Sequence, residues 1–331
     1  MNKLTVKLLQ LLYQHRDDYL SGEGISKKLG VSRTAIWKQI NQLRAQGYKI
    51  DSVSRRGYRL IKKAVGINAE EVYLGLETEL LGQEIRVFPS LGSTNEQVKE
   101  LAREGAGEGI VVIAEEQTSG KGRRGRKWHA PPGTGLWFSL LVKPQLQPNQ
   151  APFLTIIAAL AVYQAIEQLL PGGDLIIKWP NDLLLGGKKI CGILSELNAD
   201  MGGINYAVIG IGVNVNQTDF PDDLVEIATS LQRYFNQPVD RTVLLQVILK
   251  WLEEYYRRLV AGDWAGILAA WKEHLAIEGK RVQIISGEQT YWGRVIELSS
   301  QGELVIKDEQ GVIHTFWSGD VSLRNNENGN N

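Results

Sequence analysis

Nine consecutive residues, Gly120-Lys-Gly-Arg-Arg-Gly-Arg-Lys-Trp128, hold three glycines, five cations and a terminal aromatic ring. Such a run cannot be buried without counter-charge, and its glycines cost backbone entropy to order. One reading is a mobile loop that closes over a polyanion, its glycines letting backbone N–H groups approach phosphate while its cations neutralise charge. The other is a solvated basic loop. A second feature is Lys178-Trp-Pro-Asn-Asp182. Apolar residues lead into Lys178, and Pro180 then fixes a loop. A lysine at the end of a buried strand needs an anion. Asp182 would supply one internally; a ligand carboxylate or phosphate is the alternative. A third is Ser93-Thr94-Asn95-Glu96, which has capping-box spacing and reads either as a plain helix cap or as hydroxyls and amides presented to a ligand.

The basic stretch also matches Gly-x-Gly-x-x-Gly. A dinucleotide fold would require it to open a helix and meet an acid about 20 residues on. Trp128-His-Ala-Pro-Pro-Gly follows instead, which does not propagate a helix, and the region of Lys143-Pro144-Gln145 has no acid. The dinucleotide reading is set aside.

The elements that must position these residues fall into blocks. A chain of 331 residues, 43% hydrophobic and 22% charged, predicts two or three globular domains. Its net charge of zero hides an asymmetry. Residues 1–63 carry 14 lysines and arginines against four acids, a net of +10, leaving the remainder at −10. A basic segment joined to an acidic body points to nucleic acid at the N-terminal end. Cys191, the single cysteine, excludes an intrachain disulfide and fits a reducing cytosol. The first 13 residues form a helical stripe interrupted by Lys3 and Lys7, not a signal peptide. The apolar run at Phe153–Tyr163 is shorter than the roughly 20 residues that a bilayer requires.

The periodicity of residues 1–63 predicts three helices and a hairpin, with Ser21 and Ser32 as N-caps and Gly30 in the left-handed turn between the second and third helices. The third helix, about Arg33–Gln46, buries Ile36, Ile40 and Leu43. It presents Arg33, Thr34, Trp37, Lys38 and Gln42 outward, and Arg55-Arg56-Gly57 is a basic hairpin turn. This is a winged helix-turn-helix pattern, in which the third helix reads the major groove and the wing touches phosphates. A basic protein-binding module is the other reading. After a linker at Ile61–Ile67, residues 64–276 read as mixed α/β. There Asn68 and Glu71 form a second capping-box spacing, and Gly210 and Gly212 allow close backbone approach. Residues 277–324 read as short strands of an SH3-like β-barrel, and 325–331 as a disordered polar tail. The fold class is α+β multidomain.

Taken together, Ser93-Thr94-Asn95, Gln117, Gly120–Trp128, Lys178–Asp182, Lys189-Ile-Cys-Gly-Ile-Leu194 and Gly210-Ile-Gly-Val-Asn214 resemble the bifunctional biotin–protein ligase and biotin-operon repressor family, over nearly the whole chain. The family's loop usually reads Gly-Arg-Gly-Arg-Arg-Gly. Lys121 here keeps the first charge but not the bidentate geometry. The resemblance implies that biotin and MgATP give biotinyl-5′-adenylate, which a lysine of the biotin carboxyl carrier protein then attacks. Lys178 and Arg123 would be catalytic. Ser93, Thr94, Asn95, Gln117, Lys121, Gly122, Arg123 and Lys178 would meet biotin. Gly120, Arg124, Trp128, Asn181, Lys189 and Asn214 would meet the adenylate. Ser32, Arg33, Thr34, Trp37, Lys38, Arg55 and Arg56 would meet operator DNA, with the adenylate-bound chain a homodimer in the cytoplasm and no membrane involved. The Mg²⁺ ligands are not identified by the sequence. A ligase without a regulatory role and a non-catalytic biotin-sensing repressor are the competing readings.

Overall fold

Leu8, Leu9 and Leu12 on α1 (Lys3–Gln14), Ile25 on α2 (Gly22–Leu29) and Ile36, Ile40 and Leu43 on α3 (Arg33–Ala45) meet in a small core of their own. The computed structural model describes residues 3–275, 277–317 and 319–323. Ser21 caps α2 by accepting the Gly24 N–H at 2.9 Å, and Ser32 caps α3 by accepting that of Ala35 at 3.1 Å. Gly30 makes the left-handed turn between them at φ 67°. The hairpin β1 (Lys49–Val53) and β2 (Gly57–Lys62) follows. A Cβ at Gly57 would lie 1.9 Å from the Leu20 carbonyl oxygen, so only glycine lets the wing seat against the segment before α2.

Ile61 and Lys62 belong to β2, so the irregular connection is shorter than expected and runs over 63–68. It is pinned to the body: the Ile67 N–H donates to Glu115 at 2.6 Å, and Lys63 pairs with Asp240 at 2.7 Å. Asn68 caps α4 (Ala69–Leu74) through the Glu70 N–H. The reciprocal half of the box is absent, because Glu71 turns away to accept the Tyr13 hydroxyl of α1 at 2.6 Å.

The body is a seven-stranded sheet in the order β3-β4-β5-β9-β8-β7-β6, antiparallel except for the β3–β4 pair. The strands are β3 (Ile85–Phe88), β4 (Val111–Ala114), β5 (Leu136–Val142), β6 (Leu175–Lys178), β7 (Asp182–Leu185), β8 (Lys188–Asp200) and β9 (Gly203–Val213). Helix α5 (Thr94–Arg103) packs Val98 and Leu101 on one face against Val112, Leu141 and Val208. On the other face lie α6 (Pro152–Leu169), α8 (Arg241–Val260) and α9 (Trp264–Glu273), with α6 against both α8 and α9. By length and composition α6 and its leading turn are apolar enough to cross a membrane, contrary to the reading of that run as too short, but α6 lies in the main core. Its uniform apolarity reflects burial between sheet and helices. The tip of the β8–β9 hairpin extends past the expected ends on polar residues that carry no period-2 pattern. The five-residue α7 (Leu231–Phe235), capped by Ser230, is too short for periodicity to reveal.

The C-terminal strands β10 (Arg281–Ser286), β11 (Gln289–Leu298), β12 (Leu304–Lys307), β13 (Ile313–Phe316) and β14 (Asp320–Leu323) form an antiparallel sheet in the order β13-β12-β11-β10-β14. Among the described residues β13 and β14 are unpaired edges, so the sheet is open where a closed barrel was expected. Val282, Ile284, Leu304 and Ile306 join the main core, and the Trp179 indole N–H donates to the Gly302 carbonyl at 3.3 Å. The sheet therefore shares its interior with the body. The expected disordered tail at 325–331 lies outside the described residues.

Candidate functional site

Three glycines make the floor of a cavity of about 500 Å³. On β9 a Cβ at Gly210 would sit 2.1 Å from Asn95 Oδ1, and one at Gly212 2.7 Å from Trp128 Nε1. On the paired strand β8, a Cβ at Gly192 would sit 2.8 Å from the Trp128 ring. The close approach expected at Gly210 and Gly212 is thus made by side chains of this chain. Without Cβ atoms below, Asn95 and Trp128 lie down on the sheet and leave open space beside them.

At one end, the N-terminus of α5 is held rigidly. The Thr94 N–H and hydroxyl both donate to Gln117 Oε1, at 2.8 and 3.1 Å, and the Thr94 and Ser139 hydroxyls lie 2.6 Å apart. Asn95 donates to Glu196 at 2.7 Å and to the Leu194 carbonyl at 3.2 Å, and accepts from Ser139. Ser93 is the N-cap residue but its hydroxyl makes no capping bond, so the expected box with Glu96 is not formed. Ser93, Thr94, Asn95 and Gln117 all line the cavity.

Lys178 ends β6 in the cavity wall, across the hairpin from Asp182. Asp182 does not neutralise it. That carboxylate pairs with Lys189 at 2.7 Å, and among the described residues Lys178 has no ion-pair partner. The charged lining is lopsided, with six lysines and arginines against two acids, Asp182 and Glu226. A cavity so charged is suited to a polyanion.

The basic loop crosses the opening. The Gly122 N–H donates to the Arg126 carbonyl at 2.7 Å, folding the tip back as a turn at Arg123–Gly125. Arg123 donates to Asn181 at 3.0 Å, and Asn181 in turn donates to the Ile193 carbonyl. Arg124 is left-handed at φ 57° and reaches out to the carbonyls of Gly287 and Ile285, at 2.8 and 3.4 Å, between β10 and β11. Arg124 and Gly120 do not line the cavity, whereas Lys121, Gly122, Arg123 and Trp128 do. Among the described residues the buried Trp128 indole N–H has no hydrogen-bond partner. Its ring meets Trp137 edge-on at 6.1 Å, and Lys189 Nζ lies 5.2 Å from its centre. Asn214 is buried, donating to the Thr229 carbonyl at 3.0 Å and accepting from Gln217.

The segment after Asn214 went unread in the sequence. Phe220, Leu224 and Ile227 form a wall of the cavity without any periodic pattern. Also missed was the Arg241–Glu115 pair at 2.9 Å, although an acid directly after the all-apolar Val111–Ala114 was a signal. A second cavity, of about 570 Å³, lies between the start of α6, Trp179-Pro180, β8, Trp271 and Trp317. It shares Arg123, Asn181, Ile193 and Leu194 with the first. The described residues hold no cluster of three or more His, Cys, Asp or Glu that could cage a metal.

The remaining candidates sit apart, on the N-terminal unit. Ser32, Arg33, Thr34, Trp37 and Lys38 are exposed on one face at the start of α3. In the wing, Arg55 is exposed, and Arg56 stacks with Arg59 on the Tyr19 ring, each at 4.6 Å.

Comparison with known proteins places this architecture. Residues 87–214 match the biotin/lipoate A/B protein ligase family, residues 6–59 an HTH domain, and residues 278–324 the biotin protein ligase C terminal domain. The bifunctional ligase/repressor BirA of Bacillus subtilis is 39% identical over 318 residues, 96% of this chain and 97% of that protein. Its counterpart from Escherichia coli is 30% identical over 327 residues, 98% and 99% of the two chains. Among solved structures, the biotin protein ligase from Aquifex aeolicus in complex with biotin and ATP is 30% identical, with a TM-score of 0.64 over 73% of this chain and 99% of that one.

Proposed function

Because the chain belongs to the bifunctional biotin ligase/repressor family, we infer that it activates biotin with ATP, transfers biotin to a carrier lysine and represses biotin genes. The observation that carries the catalytic reading is Lys178, a cation that has no ion-pair partner among the described residues and lines the cavity beside a rigid polar cluster.

In the first step a biotin carboxylate oxygen attacks the α-phosphorus of ATP. The bond from that phosphorus to the bridging oxygen breaks, and pyrophosphate leaves. Two anions must approach, so a fixed cation between them lowers the barrier. Lys178 fills that role, with Arg123 beside it on Asn181. Ser93, Thr94, Asn95 and Gln117 take the biotin end, and Lys121 and Gly122 stand at its rim. Trp128, Asn181, Lys189 and Asn214 take the adenylate. Gly120 supports Trp128 through the Trp128 N–H at 2.9 Å, and Arg124 reaches the ligand only by leaving its carbonyls. In the second step the neutral amine of the carrier lysine attacks the anhydride carbonyl. The carbon–oxygen bond to phosphate breaks, AMP leaves, and the amine loses a proton.

Mg²⁺ is assigned to ATP. With Asp182 already paired to Lys189 and no cluster of three or more His, Cys, Asp or Glu among the described residues, it would arrive on the ATP phosphates with retained waters and would neutralise phosphate charge. The biotin carboxyl carrier protein is proposed to enter by the second cavity, which meets the first at Arg123 and Asn181. Beyond Gly192 no described strand pairs with the outer edge of β8. An open edge of this kind recruits a carrier or a second copy by strand addition, and we assign the adenylate-bound homodimer to it. Residues 1–63 are the operator-binding unit, with α3 in the major groove and Arg55 and Arg56 at phosphates. The ligase unit is 64–276 and the C-terminal unit 277–324, and the protein works in the cytoplasm without a membrane.

The test is Lys178→Ala. Biotin-dependent pyrophosphate release should fall by about a hundredfold or more, as for other fixed charges at a reacting centre. Near-normal release would remove Lys178 from the chemistry. A parent protein that labels no carrier would favour a non-catalytic sensor.

A further inference from the structure

We propose that Glu96 is a positioning residue for the basic loop: its carboxylate holds Lys121 and thereby docks the start of the loop across the cavity. This rests on the reading of the cavity as the adenylate site and adds the device that holds its cover in place.

Glu96 stands at the third position of α5, where a carboxylate ordinarily folds back onto the N-cap N–H. Here it turns outward. Lys121 Nζ is 2.9 Å from Glu96 Oε1, and Lys99 Nζ is 3.3 Å from the same oxygen. Lys99 is the more deeply set of the two cations and also pairs with Glu196 at 2.5 Å. The second oxygen of Glu196 accepts from Asn95 at 2.7 Å. An unbroken chain of polar and charged groups, Asn95–Glu196–Lys99–Glu96–Lys121, therefore runs from the cavity to the loop. The first-turn position favours a carboxylate through the helix dipole. Lys121 lowers the Glu96 carboxyl below the usual carboxylate range, against a smaller opposing effect of burial. A lysine suits this bond, since a point charge on a flexible stem needs no bidentate partner.

The pair is exposed, with 53% of the Lys121 and 42% of the Glu96 side chain open to solvent. The effect expected is therefore modest and sensitive to salt. Trypsin cleaves after lysine and arginine, so nicking within residues 121–127 of the full-length free protein reports how often the loop lifts. Glu96→Gln should raise that rate about two- to five-fold at low salt. Lys121→Met should raise nicking at the remaining sites to the same degree, and the double variant should do no more than either. Salt should accelerate nicking of the parent and leave Glu96→Gln unchanged, and Glu96→Asp should restore most of the protection. Dissociation of biotinyl-5′-adenylate should quicken in parallel. Parent-like nicking and salt dependence in Glu96→Gln, or fully additive effects in the double variant, would overturn the proposal. The trypsin readout uses no ligand. If the parent failed to bind adenylate, the functional reading would fall while nicking would still decide the role of Glu96.

Discussion

At the scale of the residue, two cations are proposed to divide the work in the cavity. Lys178 is fixed on a strand and has no ion-pair partner among the described residues, whereas Arg123 sits on a loop and reaches Asn181. The first suits charge stabilisation, the second retention. Biotinyl-5′-adenylate is an acylating agent, so an enzyme that makes it must hold it until the right amine arrives. Replacing Arg123 with glycine removes the Asn181 bond and loosens the loop. Arg123→Gly should still form adenylate but release it on the order of tenfold faster, the worth of one or two charge-assisted bonds. Bystander proteins in the same tube should then be labelled on surface lysines. The adenylate off-rate and labelling of an unrelated protein check this, and parent-like values in both would remove Arg123 as the latch. The types of Lys178, Arg123, Ser93, Thr94, Asn95 and Gln117 were legible as chemistry. Their partners were not. Asp182 lies four residues from Lys178 but takes Lys189 instead, because β8 brings Lys189 beside it. Only the sheet register decides such a choice.

At the scale of the element, the helices and strands with strong periodicity or clear caps were readable, as Ser21, Gly30, Ser32 and the stripe on α3 show. The hairpin tip of β8–β9, the short α7 and the wall at 216–228 were not, since polar or brief segments carry no period. The glycine floor shows how an element makes a site. Gly210 was read as a place for close approach, and what approaches is Asn95. A methyl group there must displace the amide that donates to Glu196 and Leu194. Gly210→Ala should cost about 1–3 kcal/mol of stability through overpacking. It should also weaken biotin binding by roughly tenfold as a buried amide loses its partners. Thermal melting and calorimetric titration with biotin test the two halves. An unchanged biotin affinity would mean that Asn95 does not shape the biotin end.

At the scale of the whole molecule, a short stretch connects the N-terminal unit to the cavity. Asn216, two residues beyond Asn214, bonds the Val239 backbone through both ends of its amide, each at 2.9 Å. Asp240 then holds Lys63, and Arg241 holds Glu115, which grips the Ile67 N–H. The wall of the cavity and the connection to the DNA-binding helices thus share three consecutive residues. The charge break after Lys63 was visible in the sequence, whereas this junction depends on pairs 126 and 177 positions apart and was not.

The central claim is that one cavity both makes the adenylate and licenses DNA binding. Operator occupancy, followed by gel shift while carrier protein is titrated in, tests it most directly. The chain lacking residues 1–63 serves as the control and should shift nothing. The full chain should shift operator DNA strongly only when biotin and ATP are both present. Added carrier should then reverse the shift as its lysine consumes the adenylate. Occupancy indifferent to biotin and ATP, or undiminished while carrier is being biotinylated, would contradict the account.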